Sequence, residues 1–250
     1  MAPFDRIQLT QEILVAAIGD GWPPEQIDAA VEMLASGEGK FPSGVRKLPS
    51  DLIRTVQRER LIAAMLNAAA ELGYREANVQ DVIERAGVSR PTFYEHFANK
   101  EDCFLAAFDT SAARLRAKVE AAAENGGEVW RDRVRLGLEA LLAFAMAEPD
   151  AARALIVEAR AGSSEAVMRR IALLDHFASC LDAQARELLD EVPCSAVTPS
   201  AVVGGVEAVL YARLCKDELE NLEPLVPSLM YFVVLPYEGR EAAAEELAVG

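Results

Sequence analysis

A chain of 250 residues that is 52% hydrophobic and 26% charged can bury a sizeable interior and is not disordered by composition. Its net charge of −15 argues against a polyanionic partner spread over the whole surface. The longest apolar run, LVPSLMYFVVLPY at 225–237, is too short and too broken by proline to span a bilayer, and the acidic start MAPFDRIQLTQE lacks the basic region of a signal peptide, so a cytoplasmic protein is expected.

Apolar residues recur at helical spacing almost throughout, and no stretch alternates with a period of two, so the fold is expected to be all-α. Residues 10–35 suggest two short helices broken at GDGWPP, and SGEGKFPSG at 36–44 reads as a linker. A helix follows from about Leu52 to Leu72, with Leu61, Met65, Ala68, Ala69 and Leu72 on one stripe and Gly73 as its left-handed end. Asn78 can cap a second helix, VQDVIERAG, whose inward side is Val79, Val82, Ile83 and Ala86. Gly87 ends it after two turns, and Ser89 caps a third helix. Two short helices joined by a tight glycine turn behind a longer one make a helix-turn-helix.

On the third helix Phe93 and Phe97 fall about 40° apart and face inward, whereas Pro91, Thr92, Glu95 and His96 point away and Arg90 and Tyr94 stand at the rims. Proline is tolerated there because first-turn amides have no intrahelical acceptor to lose. Such a helix presents groups that reach base edges and phosphates. Asn99 and Asp102 frame a fourth helix in capping-box manner, and Lys100 sits in its first turn against the helix dipole, an oddity that a phosphate at that end would explain.

Charge supports this placement. Residues 1–39 carry a net −6, residues 40–100 a net +3 and residues 101–250 a net −12. A basic island in an acidic chain is the footprint of a nucleic-acid contact confined to one small module.

The run RLIAAMLNAAAELGYREANVQDVIERAGVSRPTFYEHFANKEDCFLAAF, Arg60 to Phe108, resembles the DNA-binding domain of the tetracycline-repressor (TetR) family of bacterial transcriptional regulators. The shared elements are the Ala-rich helix ending in Gly73 and Tyr74, the AGVS turn, the TFYEHF helix and the NKE entry to the next helix. The family's usual cap threonine is Asn78 here, and the usual small or basic residue after the recognition-helix tyrosine is Glu95, whose carboxylate repels phosphate yet can accept from cytosine.

The resemblance implies an all-α homodimer with an N-terminal helix-turn-helix domain and a larger domain binding a small-molecule effector. It divides the chain into an appended helical segment and linker at 1–44, a DNA-binding domain at 45–104, and an effector-binding and dimerisation domain at 105–250. Arg90, Pro91, Thr92 and Glu95 are the candidates for base edges on a double-stranded operator, with Gln80 a weaker one; Asn78, Ser89, Tyr94, His96 and Lys100 are the candidates for phosphates. Ordinary packing against the first helix is the competing reading for Tyr94 and His96. Arg46, Lys47, Arg54, Arg58 and Arg60 form either an arm along the duplex or a solvated face.

Beyond the motif, helices are expected at about 100–124, 128–147, 150–160, 164–190, 199–219 and 222–235. Gly204, Gly205 and Ala208 form a small-residue face, and the run LMYFVVL is too apolar for water; the family resemblance implies that the last two long helices pair across a two-fold axis as a four-helix bundle. Two recognition helices would then reach half-sites roughly 34 to 36 Å apart. The large or adaptable residues Trp130, Phe144, Met146, Met168, His176, Phe177 and Tyr211 are candidate walls of an effector pocket, although each is also ordinary core material. Arg153, Glu158 and Arg160 either fix a polar ligand end or form solvated pairs.

Four dispersed cysteines, with His96 and His176 the only histidines, lack zinc-ligand spacing and read as free thiols without a metal. No GxSxG and no phosphate-cradling glycine loop is present, so neither an enzyme nor a cofactor is expected. The competing function is a helical protein-interaction module in which the helix-turn-helix is structural.

Overall fold

The computed structural model describes residues 6–18, 27, 30, 31 and 49–248, and within them every regular element is helical. The break at GDGWPP, the linker at 36–44, and Arg46 and Lys47 lie outside the described residues. Helix α1 (Arg6–Ile18) begins earlier than its sequence pattern suggests. Its Leu14, together with Ala30 and Val31, packs with Val56 of α2 (Ser50–Leu72) in a small buried cluster. The appended segment thus covers the start of α2.

Along α2, Leu61, Met65, Ala68 and Ala69 are fully buried, whereas Leu72, expected on the same stripe, is 40% exposed in the last turn. Gly73 ends the helix at φ 83° with an extended ψ of 143°, a positive-φ stop and not the left-handed helical residue expected there. Helices α3 (Val79–Ala86) and α4 (Arg90–His96) follow, and α5 (Lys100–Glu124) leads out of the motif.

The rest of the chain is α6 (Trp130–Ala147), α7 (Pro149–Arg153), a π-helical turn (Ala154–Glu158), α8 (Ala159–Ala161), α9 (Ser164–Leu188), α10 (Thr198–Cys215) and α11 (Val226–Glu246). The segment expected as one helix at 150–160 is therefore three short pieces around a π turn. Pro199 opens α10 from within its first turn, and a 3-10 turn, Glu223–Leu225, precedes α11. That last helix runs past the expected end at 235 and contains Pro236 and a non-helical Gly239 at φ 86°, where only glycine takes the bend without strain. No helix among the described residues is long and apolar enough to cross a membrane.

The fold divides into two units, Met1–Ala107 and Phe108–Gly250, each with its own core. In the second, Trp130 packs against Tyr237 with the rings tilted by 45° and their centroids 4.8 Å apart. Arg153 and Glu158 approach to 3.5 Å, and Arg153 also donates to the Leu214 carbonyl at 2.9 Å, so this pair braces helices instead of lying on a solvated surface.

Candidate nucleic-acid interface

The motif is set by caps. Asn78 Oδ1 accepts from the backbone N–H groups of Gln80 (2.8 Å) and Asp81 (3.3 Å), and Asp81 answers by accepting from the Asn78 N–H at 2.8 Å, a closed capping box. At the other end of α3, Gly87 takes the left-handed conformation (φ 63°, ψ 42°), and its N–H reaches the Ile83 carbonyl. Ser89 Oγ then accepts from Thr92 N–H at 3.2 Å and starts α4, with Pro91 in the first turn. Three short-range signals thus fix the angle between the two helices.

Packing fixes the face. Phe93 and Phe97 are buried at 0% and 4% exposure and hold α4 against the unit's core, with ring centroids 5.9 Å apart. Arg90, Pro91 and Glu95 are exposed, Thr92 is half-buried, and Tyr94 is 50% exposed with its ring edge-on to Phe93. Arg90 Nη2 donates to Gln80 Oε1 at 3.0 Å, and Gln80 Nε2 to Glu84 Oε1 at 2.6 Å, so the weaker candidate Gln80 joins Arg90 on one surface. Arg54 is exposed on α2, and the Arg58 guanidinium lies 5.5 Å from the centre of the Phe97 ring.

Three sequence expectations change. Arg60, placed among the arm residues, is 1% exposed and donates to the Ala86 and Gly87 carbonyls. Those carbonyls lie where α3 ends and lose their intrahelical partners, so a buried guanidinium stitches the turn to α2.

Lys100 Nζ donates to the carbonyls of Tyr74 (2.8 Å), Arg75 (3.3 Å) and Ala77 (2.8 Å) and stands 4.5 Å from the centre of the Tyr74 ring. Its place in a first turn is explained by this loop, with no phosphate required. Asn99 caps α5 through Asp102 N–H at 2.9 Å, while Asp102 reaches back to Ala98 N–H and not to Asn99. Lys100→Ala is expected to lower the unfolding free energy by about 1–2 kcal/mol, because three carbonyls lose a charged donor. Urea denaturation reads this; an unchanged midpoint with weakened DNA binding would restore the phosphate role.

His96 is half-buried, and its Nε2 lies 3.4 Å from Gln57 Oε1 on α2, so it packs against the first motif helix. Burial and then Arg54 lower its pKa below 6.5, with Arg58 adding to this and Glu95 opposing it. The unfolded chain holds that proton more tightly. The stability contributed by neutral His96 is therefore present above pH 6.5 and lost as pH falls through the lowered folded value. Melting temperature should drop between pH 7.5 and 5.5 in the wild type, and drop less in His96→Gln.

In the second unit, helices α5, α6, α9 and α10 surround an apolar cavity of about 160 Å³. Leu115, Leu138, Leu155, Leu173, Phe177 and Val206 are among its walls, and Glu120, Arg133, Arg170, Gln184 and Glu207 are its charged or amide groups. Glu207, 7% exposed, accepts from Arg170 Nε (3.1 Å) and Nη2 (2.6 Å) and also from Arg160.

Of the seven expected wall residues only Phe177 lines this cavity. Trp130 and Phe144 are core, at 2% exposure each. Met146 is half-buried outside the lining, and Met168 is 60% exposed on the outer side of α9. Tyr211 lies under the Arg160 guanidinium at 4.1 Å. His176 faces Glu120 at 2.6 Å on the rim. The actual walls are mainly leucine and valine, which side-chain size alone does not distinguish from core.

A helix-turn-helix with an outward polar face precedes an all-helical unit around an apolar cavity, an arrangement that leaves one side of a short helix open to a groove of the duplex. Residues 61–107 match the family model of bacterial regulatory proteins, tetR family. That match places a DNA-binding domain of the tetR kind at residues 61–107, about a fifth of the chain.

The chain is 30% identical over 105 residues to the HTH-type transcriptional activator FasR of Mycolicibacterium smegmatis, covering 42% of this chain and 48% of that protein. It is 38% identical over 79 residues to the HTH-type transcriptional repressor AcnR of Corynebacterium diphtheriae, covering 31% and 40%. These matches span less than half the length of either relative.

Among solved structures, FadR of Bacillus subtilis in complex with stearoyl-CoA superposes with a TM-score of 0.61 at 20% identity over 72% of this chain and 99% of that one. The fatty acid degradation regulator FadR of Bacillus halodurans gives 0.60 at 20% identity over 70% and 97%. That likeness is one of fold.

Proposed function

We propose that the protein is a sequence-specific transcriptional regulator acting as a repressor on a double-stranded operator, with its affinity set by a small-molecule effector in the second unit. The observation that carries this reading is the two-sided α4, anchored by Phe93 and Phe97 and exposing Arg90, Pro91 and Glu95 on its opposite side. Gln80, Arg90, Pro91, Thr92 and Glu95 are its base-edge set, with Asn78, Ser89 and Tyr94 positioned for the sugar-phosphate backbone.

The effector has an extended apolar body of the fatty-acyl class. The cavity's leucine and valine walls suit such a body, and FadR of Bacillus subtilis, similar in fold, was solved in complex with stearoyl-CoA. A homodimer is supported by Val209 on α10 and Phe232 and Leu235 on α11, which remain 37%, 42% and 38% exposed although strongly apolar. Gly205 belongs to the same region, where a Cβ would come within 2.6 Å of the Phe232 ring. An effector that favours one arrangement of the dimer shifts operator affinity by its differential affinity alone.

Titration of a duplex from the gene's own upstream region tests the reading. Binding should weaken linearly in log–log terms with salt, with a slope near 0.9 per phosphate neutralised, and acyl-CoA should release the duplex. Equal affinity for upstream and scrambled DNA would refute the regulator; insensitivity to acyl-CoA would refute the effector class.

A further inference from the structure

We propose that Glu120, His176 and Cys180 form a binding site for a divalent transition metal of the zinc class at the edge of the apolar cavity. His176 and Cys180 are four residues apart on α9 and share a face, and Glu120 comes across from α5. Their ligand atoms lie within 4.8 Å of one another. Imidazole, thiol and carboxylate together are a donor set suited to Zn²⁺, whereas a stabilising ion pair would need only two of them.

The distances are close to what a tetrahedral ion requires. Bond lengths of about 2.0–2.3 Å place neighbouring N and S ligands about 3.6 Å apart and N and O ligands about 3.3 Å apart. Cys180 Sγ already stands 3.7 Å from His176 Nε2. Glu120 Oε1, at 2.6 Å from the same nitrogen, must retreat, and its side chain is 46% exposed. The ion replaces the hydrogen bond between His176 and Glu120, and the Cys180 thiol releases its proton to solvent on becoming the thiolate ligand. Burial and the Glu120 charge hold that thiol above its ordinary pKa, a cost that a bound cation reverses. The rim is open, so water can supply the fourth ligand. Glu120 and Cys180 also line the cavity, so the ion would place a Lewis-acidic point at its edge.

The site is independent of the regulator reading, and so is its test. Full-length protein, stripped with chelator, is titrated with Co²⁺ and followed by absorption spectroscopy. One ion per chain is expected, with ligand-field bands of tetrahedral strength and a thiolate-to-cobalt charge-transfer band in the near ultraviolet. Cys180→Ser should abolish the charge-transfer band, and His176→Ala and Glu120→Gln should each weaken binding at least tenfold. Cys194→Ser should leave the spectrum unchanged. Circular dichroism confirms that each variant is folded; all three ligands are partly exposed, so helicity should be retained. No charge-transfer band at one equivalent, or a band that survives Cys180→Ser, overturns the proposal.

Discussion

Replacing Phe93 with alanine should lower the stability of the DNA-binding unit by about 3–5 kcal/mol, the usual cost of emptying a fully buried aromatic site, and abolish duplex binding with it. Phe93 is 0% exposed and is the one fully buried side chain of a seven-residue helix. A helix so short has little stability of its own, so its position depends on this anchor and on Phe97. Tyr94→Ala, one position along and half-exposed, should change stability by no more than about 0.5 kcal/mol while still weakening DNA binding. Chemical denaturation followed by circular dichroism separates the two. A Phe93→Ala loss below about 1 kcal/mol would mean that α4 is held by something other than its buried face.

The second large effect belongs to Glu207. Its carboxylate, 7% exposed, takes three hydrogen bonds from Arg160 and Arg170, joining α8, α9 and α10 at the cavity wall. Glu207→Ala removes the acceptor and leaves two guanidinium groups facing each other. Breaking a buried pair from one side costs about 3 kcal/mol or more, and the partial solvation of both arginines puts this case near that lower value. Glu207→Gln, which keeps an acceptor oxygen, should lose about half as much. The urea midpoint checks both. A Glu207→Ala midpoint equal to that of the wild type would show that the three groups are solvated in solution.

What could be read from the sequence was local. Asn78, Gly87, Ser89 and the Phe93/Phe97 pair act on neighbours within four residues, so spacing alone reveals caps, turn and buried face. What could not be read depends on distant partners. Arg60 and Lys100 resemble surface cations, yet each is committed to carbonyls 23 to 27 residues away. Glu120 and His176 stand 56 positions apart and Glu207 and Arg170 stand 37 apart, and only the helix packing brings them together.

The same limit explains the pocket. Large side chains such as Trp130 and Phe144 fill space and so became core, whereas the cavity lies where leucines and valines leave space. The appended first segment offered no motif, and its role in covering α2 through Leu14 appears only in three dimensions.

In the proposed function, the side of α4 turned away from Phe93 and Phe97 reads bases. Its most direct measurement is the ratio of affinities for upstream and scrambled duplexes, at fixed salt, in the wild type and in Arg90→Ala. Arg90→Ala should shrink that ratio by about 1–3 kcal/mol, the worth of one bidentate base contact, while the affinity for scrambled DNA changes little. A ratio that stays at its wild-type value in Arg90→Ala, and again in Thr92→Ala and Glu95→Ala, would contradict it.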